Sequence, residues 1–199
     1  MKKVGILGGT FDPIHIAHLI IADQSLFYGG LDEIWFMPAR IPPHKQSRSI
    51  TSVSQRVEMI TRAIQDQSQY HLCTIELERE GPSYTLDTVK ELKNRYSEYD
   101  FSFILGGDMI QYLPKWYGIQ QLLSLIQFIG LQRSGYSLRP KNEDEEQIFQ
   151  QVKMIPMPQL EISSTFVRHW VREGRPLRYV VPYSVEQYIK ENHLYEDRS

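Results

Sequence analysis

Short apolar runs alternate along this chain with longer stretches in which apolar positions recur at helical spacing. Val4-Gly5-Ile6-Leu7 reads as a first short strand, followed by a helix from about His15 to Tyr28 that Gly29-Gly30 stops. A strand from Glu33 to Met37 is closed by Pro38. Ser52-Val53-Ser54-Gln55 has the form of a capping box, opening a helix to about Gln65 with Val57, Ile60 and Ile64 on one stripe. The pattern continues with a strand Tyr70 to Leu77, a helix Tyr84 to Tyr96, and a strand Phe101 to Leu105 ending in Gly106-Gly107-Asp108. A short helical stretch from Gly118 to Leu125 precedes strands Phe128 to Leu131 and Val152 to Met157. Two helices finish the pattern as a small C-terminal helical part, about Ser164 to Glu173 and Ser184 to Glu191, the second with a capping box in Ser184 and Gln187. Residues 134–147 read as a mobile surface connection, with a solvated acidic run from Glu143 to Glu146. Repeated strand-helix-strand units predict an α/β fold: a doubly wound parallel sheet with right-handed crossovers and helices on both faces. Ligands bind such sheets at the carboxyl ends of the strands.

Composition narrows the class. With 199 residues the chain suits a single domain large enough to need no disulfide or metal staple. A formal charge of −2 favours neither nucleic acid nor an anionic membrane as partner. The single cysteine, Cys73, has no partner for a disulfide or a thiolate metal site and reads as a small buried hydrophobe. No apolar run approaches membrane-spanning length, and the N-terminal stretch is too short for a signal-peptide core. A cytoplasmic protein is expected.

The first strand runs directly into Gly8-Gly9-Thr10-Phe11-Asp12-Pro13-Ile14-His15-Ile16-Ala17-His18. Glycines let backbone amides approach an anion, Pro13 ends the strand, and a helix starting near Ile14 aims its free amides and positive dipole end at the same spot. His15 and His18, three apart, share the first-turn face above this loop. The arrangement predicts a polyphosphate site. A dinucleotide fingerprint does not fit, since Gly5-x-x-Gly8-Gly9 lacks the required glycine spacing. A second cluster, Ile162-Ser163-Ser164-Thr165-Phe166-Val167-Arg168, opens another helix after a strand. Its hydroxyls cover the orphan amides of a first turn, with Arg168 one turn further on. A simple cap is the alternative at this cluster. Two such helix starts together form a cradle for more charge than one phosphate carries, and a triphosphate fits.

The His-x-x-His spacing resembles the His-x-Gly-His signature of the nucleotidyltransferase superfamily. The two clusters, with Ile41-Pro42-Pro43-His44-Lys45, Gly81-Pro82-Ser83-Tyr84-Thr85, Gly106-Gly107-Asp108-Met109, Lys115-Trp116-Tyr117 and Asn192-His193-Leu194-Tyr195, resemble bacterial nicotinate-nucleotide adenylyltransferases over nearly the whole chain. That resemblance implies a Rossmann-like nucleotidyltransferase fold and the transfer of an adenylyl group from ATP to nicotinate mononucleotide, releasing pyrophosphate. It implies His15 and His18 as catalytic residues, with His18 at the α-phosphate. It also implies an ATP site from Gly8, Gly9, Thr10, Phe11, Gly106, Asp108, Arg133, Ile162, Ser163, Ser164 and Arg168. His44, Lys45, Ser83, Tyr84, Thr85, Asp108, Lys115, Trp116 and Tyr117 are implied to hold nicotinate mononucleotide. Mg2+ is expected to arrive with ATP rather than on a dedicated protein site. A homodimer is left open.

Three positions depart from the family pattern: Ala17 for the signature glycine, Ala39 for an asparagine, and Ser134 for a proline. The chemistry expected is in-line displacement by the mononucleotide phosphate, which is largely dianionic at neutral pH and needs no general base. Donors at Ser83 to Thr85 suit a carboxylate better than an amide, so nicotinate is expected to be preferred over nicotinamide. Two other readings are carried forward. One is a sister adenylyl- or cytidylyltransferase, such as one acting on phosphopantetheine. The other is a nucleotide-binding regulatory module without catalysis.

Overall fold

Six strands, every pair parallel, form one sheet in the order β3-β2-β1-β4-β5-β6. The computed structural model describes residues 1–40, 50–79, 84–132 and 138–196. In chain order the elements are β1 (Lys2–Gly9), α1 (Ile16–Gly29), β2 (Glu33–Pro38), α2 (Val53–Ile64), β3 (Tyr70–Leu72), α3 (Thr85–Arg95), β4 (Tyr99–Gly106) and α4 (Gly107–Tyr112). A single 3-10 turn at Leu113–Lys115 leads to α5 (Ile119–Leu125), β5 (Gln127–Gln132), α6 (Glu143–Gln150), β6 (Val152–Pro156), α7 (Ser164–Arg172) and α8 (Tyr183–Glu191).

Strand order reverses between β1 and β4, and at such a point the loops leaving the two strands diverge to opposite faces and open a crevice. The two faces have separate cores because successive side chains of a strand point to opposite sides. Leu7, Ile34, Phe36 and Ile104 join one core, packed with Ile14, Ile60, Val167 and Val185 from the α1, α2, α7 and α8 side. Val4, Ile6, Trp35, Met37, Phe103 and Leu105 join the other, with Val89 of α3, Ile110 of α4 and Leu122 of α5. The predicted α/β doubly wound architecture is the one observed, with the C-terminal helices α7 and α8 closing the first face. Among the described residues no helix is long and apolar enough to cross a membrane.

Local chemistry explains most boundaries. Gly30 takes the left-handed conformation (φ 68°) that ends α1, its amide donating to the Leu26 carbonyl. Ser52 caps α2, its hydroxyl accepting from the Gln55 amide. Three expectations need correction. The third strand stops at Leu72, because the alternation of Cys73 and Ile75 belongs to a buried turn in which the Leu77 amide donates to the Thr74 carbonyl. Residues 143–147 lie in α6, where Asn142 caps the helix and the acidic run fills the first turn, a placement its dipole favours. Pro182 occupies the cap position of α8, and the Ser184 hydroxyl donates instead to the Arg62 carbonyl on α2, so no capping box forms there.

Candidate active site

A cleft of about 320 Å³ opens where the N-termini of α1 and α7 meet the carboxyl end of β4. His15, Ala17 and His18 line it from α1, Gly106 from β4, and Ile162, Ser163, Ser164 and Thr165 from the start of α7. The lining also includes Ile21, Leu131, Met157 and Leu160, apolar residues that the sequence reading did not assign to the site. An apolar wall around a few convergent donors is the usual composition of a small-molecule pocket.

The two histidines form one unit. Their rings stack with centroids 3.7 Å apart and 25° between planes. The His15 amide donates to Nδ1 of His18 at 3.2 Å, so the neutral His18 ring carries its proton on Nε2. Phe11, itself buried and held at φ 50°, meets the His18 ring edge-on at 4.9 Å. Burial pulls the His15 pKa down to about 4. Burial, with the neighbouring His15, holds that of His18 well below its ordinary value. Both rings are therefore neutral near pH 7 and present N–H donors rather than fixed charges. Nδ1 of His15 is buried with no hydrogen-bond partner among the described residues, an atom whose desolvation cost a bound polar ligand would relieve.

The loop from Gly8 to Pro13 is pinned from several directions. A side chain at Gly9 would come within 3.1 Å of the Phe11 ring, while one at Gly106 would meet only open space beside the cleft. Ser164 donates its hydroxyl to the Pro13 carbonyl at 2.9 Å, and Arg168 donates to the Asp12 carbonyl at 2.6 Å and to the Thr165 hydroxyl at 3.0 Å. Ser163 caps α7 by accepting from the Phe166 amide. Arg168 thus braces the loop and does not line the cleft. The Asp12 carboxylate is buried and accepts from the Tyr195 hydroxyl at 2.8 Å. Burial and this carboxylate raise the Tyr195 pKa, which keeps the phenol protonated. Arg56 reaches the same loop from α2, donating to the Thr10 carbonyl at 2.8 Å. Neither Asp12 nor Arg56 figured among the residues expected at the site. The signal for Arg56 was its place at i−4 from Ile60 and i−8 from Ile64, a cation on the buried stripe of an amphipathic helix.

Of the residues assigned to the mononucleotide, Tyr84, Thr85, Trp116 and Tyr117 lie on the other face of the sheet, and no described one lines this cleft. Gly118, left-handed at φ 67°, lets the start of α5 press onto Leu86 of α3, where an added Cβ would sit 2.5 Å from Cδ2. That approach brings Tyr117 and Tyr84 together, ring centroids 5.2 Å apart and both largely exposed. Trp116 stands edge-on against Phe103 and Phe128, each at 6.1 Å, so part of it belongs to the core. Lys115 lies over the Tyr112 ring instead of beside Trp116. Thr85 is the first residue of α3, and one turn on Thr88 donates to the buried Glu76 at 3.1 Å while accepting from Arg79 at 2.9 Å. Asp108 is exposed in the first turn of α4. His44, Lys45, Ser83 and Arg133 lie outside the described residues. Among the described residues no group of three or more His, Cys, Asp or Glu is arranged to hold a metal ion.

Known proteins resemble this chain along its length. The cytidylyltransferase-like family matches residues 6–170. The nicotinate-nucleotide adenylyltransferase of Bacillus subtilis (strain 168) is 48% identical over 196 residues, which are 98% of this chain and 100% of that protein. Among solved structures, Plasmodium falciparum nicotinic acid mononucleotide adenylyltransferase complexed with NaAD superposes with a TM-score of 0.79 at 26% identity, covering 98% of both chains. The same Plasmodium enzyme complexed with APC gives a TM-score of 0.77 at 25% identity, again covering 98% of both.

Proposed function

The chain belongs to the nicotinate-nucleotide adenylyltransferases of the cytidylyltransferase-like family, and from that membership we infer that its cleft transfers the adenylyl group of ATP to nicotinate mononucleotide, giving nicotinate adenine dinucleotide and pyrophosphate. The observation that carries this reading is the stacked His15–His18 pair set between two helix N-termini in one cleft. In this reading the whole chain acts as a single, cytoplasmic nucleotidyltransferase domain.

The triphosphate lies across the starts of α1 and α7, where Gly8, Gly9 and Thr10 offer backbone amides and Ser163, Ser164 and Arg168 offer charged and hydroxyl donors. Nε2–H of His18 points its proton at the α-phosphate, where negative charge grows as the nucleophile approaches. His15 supports the same phosphates and holds His18 in its tautomer through the backbone amide. Because both rings start neutral, the approach of several negative charges raises their pKa, and the site takes up a proton as ATP binds. The 5′-phosphate of the mononucleotide attacks phosphorus directly, and pyrophosphate departs on the opposite side. A divalent metal such as Mg2+, carried in by ATP, would supply charge neutralisation to the triphosphate beside Ser163, Ser164 and Arg168. The donors here fit such a metal carried by ATP, since the described residues form no carboxylate cage of their own.

On the other face, Tyr84 and Tyr117 with Trp116 supply the stacking surface for the pyridine ring, and the start of α3 at Thr85 receives its carboxylate. An unpaired buried donor costs about 1–3 kcal/mol, so nicotinate mononucleotide is preferred over nicotinamide mononucleotide by roughly 5- to 150-fold. A panel of acceptors tests the reading directly. Pyrophosphate release from ATP should be fast with nicotinate mononucleotide, slower with the amide and absent with phosphopantetheine. Release with phosphopantetheine alone, or with no acceptor in the panel, would move the chain to a sister reaction or to a binding role.

A further inference from the structure

Asp12 is buried, 4% exposed, in the loop between β1 and α1. A carboxylate there repels a polyphosphate, so its charge does not serve anion binding. That charge is offset within the protein. The Arg56 guanidinium, whose N–H groups go to the Thr10, Ala39, Arg40 and Thr51 carbonyls, lies within electrostatic reach of Asp12. Tyr195 donates its hydroxyl to Oδ1 at 2.8 Å, across 183 residues of sequence. Beyond charge, a carboxylate offers an acceptor on a short stem, and a bond to it fixes the backbone from which it grows.

The backbone on both sides of this bond is strained. Among the described residues three that are not glycine have positive φ, Phe11 (50°), His193 (48°) and Tyr195 (68°), and all three adjoin this one contact. Phe11 precedes Asp12, Tyr195 is the donor, and His193 turns the chain toward it. At the end of α8 the Leu194 amide donates to the Ile189 carbonyl at 3.0 Å and the His193 amide to the Lys190 carbonyl at 3.3 Å, a bond pair whose turning residue is ordinarily glycine. Left-handed backbone at residues with side chains persists only where the surroundings over-determine it, and such residues cluster at functional sites. A plain helix end would need none of them.

Asp12 joins the two supports of the histidine pair. On its N-terminal side the Phe11 ring, 1% exposed, meets His18 edge-on at 4.9 Å. On its C-terminal side Pro13 and Ile14 lead to His15, whose amide holds Nδ1 of His18. The Asp12 carbonyl accepts from Arg168 at 2.6 Å, so both its backbone and its side chain are held from the C-terminal part of the chain. We propose that Asp12 and Tyr195 are positioning residues that fix the orientation of the His18 ring, because the phenol–carboxylate bond holds the residue that joins Phe11 to His15. The inference rests on the adenylyl-transfer reading above.

The test uses the full chain. Tyr195→Phe loses one hydroxyl and keeps the ring, Asp12→Ala loses the acceptor, and Asp12→Asn still offers Oδ1 to the phenol. Tyr195→Phe and Asp12→Ala should each lower kcat by about 10-fold, raise the KM for ATP by no more than about 3-fold and leave that for nicotinate mononucleotide unchanged, while Asp12→Asn retains most of the activity. Long-range 1H–15N correlation spectra of the ligand-free protein read the His18 ring itself. The wild type and Asp12→Asn should show one tautomer, protonated on Nε2, and Tyr195→Phe and Asp12→Ala a mixture. Leu92→Ala, a core truncation on the other face, should melt earlier yet keep the wild-type kcat and tautomer. A folded Tyr195→Phe variant that keeps either the wild-type kcat or the single tautomer would show the bond to be merely structural and overturn the proposal. An Asp12→Asn variant as slow as Asp12→Ala would assign the effect to charge and overturn it as well. The spectra need no ligand, and wild-type turnover of the two substrates is the control that separates these outcomes from a failure of the adenylyl-transfer reading.

Discussion

The two halves of the proposed site stand on opposite faces of the sheet and are built in opposite ways. On the α1–α7 side the buried His15 stacks on the half-buried His18 and bonds to it, and the loop beneath them is held by Ser164, Arg168 and Arg56. On the α3–α5 side the aromatic pair Tyr84–Tyr117 lies open to solvent, 52% and 66% exposed, and only Trp116 is rooted in the core. A triphosphate carries several charges that must be placed to within fractions of an ångström for in-line transfer, which rewards a preorganised cradle. A pyridine ring is recognised largely by its faces, which an exposed pair of rings can supply as it closes on the ligand. The difference predicts that damage on the first side appears in kcat and in stability together, while damage on the second appears in binding.

The largest effect should come from pH. A buried histidine whose pKa falls from 6.5 to about 4 leaves the unfolded chain binding more protons than the folded one between those values, so stability is full above pH 6.5 and is lost as pH falls toward 4. The loss attributable to His15 is up to ~3 kcal/mol. His15→Asn keeps a helix cap without a titrating ring, and urea unfolding from pH 7 to pH 4 should show a flatter acid limb. An unchanged limb would mean that His15 is not desolvated and that the cradle is less preorganised than described.

Next in size, His18→Ala should lower kcat by about 100-fold with a smaller change in ATP affinity. Single-turnover kinetics separate this from slow product release, and wild-type turnover would remove His18 from the chemistry. Arg168→Ala should weaken ATP binding by about 10- to 30-fold and leave mononucleotide binding nearly unchanged, read by calorimetry. Its bond to the Asp12 carbonyl adds a modest fall in Tm, since the loop loses one of its ties. Equal weakening of both ligands would erase the contrast between the two faces.

The smallest effect belongs to the exposed face. Tyr117→Ala should weaken nicotinate mononucleotide by roughly 5-fold with Tm nearly unchanged, because the ring is largely exposed beside Tyr84. Trp116→Ala should lose a similar factor in binding and also melt earlier, since its edge contacts with Phe103 and Phe128 are core packing. A Tyr117 variant that melts as early as the Trp116 variant would show the second face to be as tightly built as the first.

How far the sequence could be read follows the same divide. The Gly8–His18 stretch was legible because its strand, turn and helix start are contiguous, so local rules sufficed to place His15 and His18 on one face. Ser163 and Ser164 were legible for the same reason, as hydroxyls at a helix start. Arg56 was not, because four carbonyls from distant stretches decide its role and nothing local marks them. Ser184 misled in the opposite sense: it fits a local capping pattern, but a tertiary acceptor on α2 claims its hydroxyl. At Cys73–Leu77 the period-two alternation was real, yet burial of Glu76 against Thr88 turned the chain away from the sheet edge. Trp116 was read as a ligand platform from its type, while its neighbours make it half a core residue.

The loop at residues 12–16 is tied down almost entirely by chain made much later: Ser164 to Pro13, Arg168 to Asp12, the Val180 carbonyl to the Ile16 amide, and the Tyr195 hydroxyl to Asp12. On a ribosome, the glycine loop and both histidines emerge first, but the groups that brace them are translated last. A nascent chain halted before codon 164 already contains all six strands, yet it presents an unbraced loop and half a cradle. The protein thus stays unable to grip a nucleotide until synthesis has passed residue 195, and binding of ATP to stalled nascent chains of increasing length would time that moment.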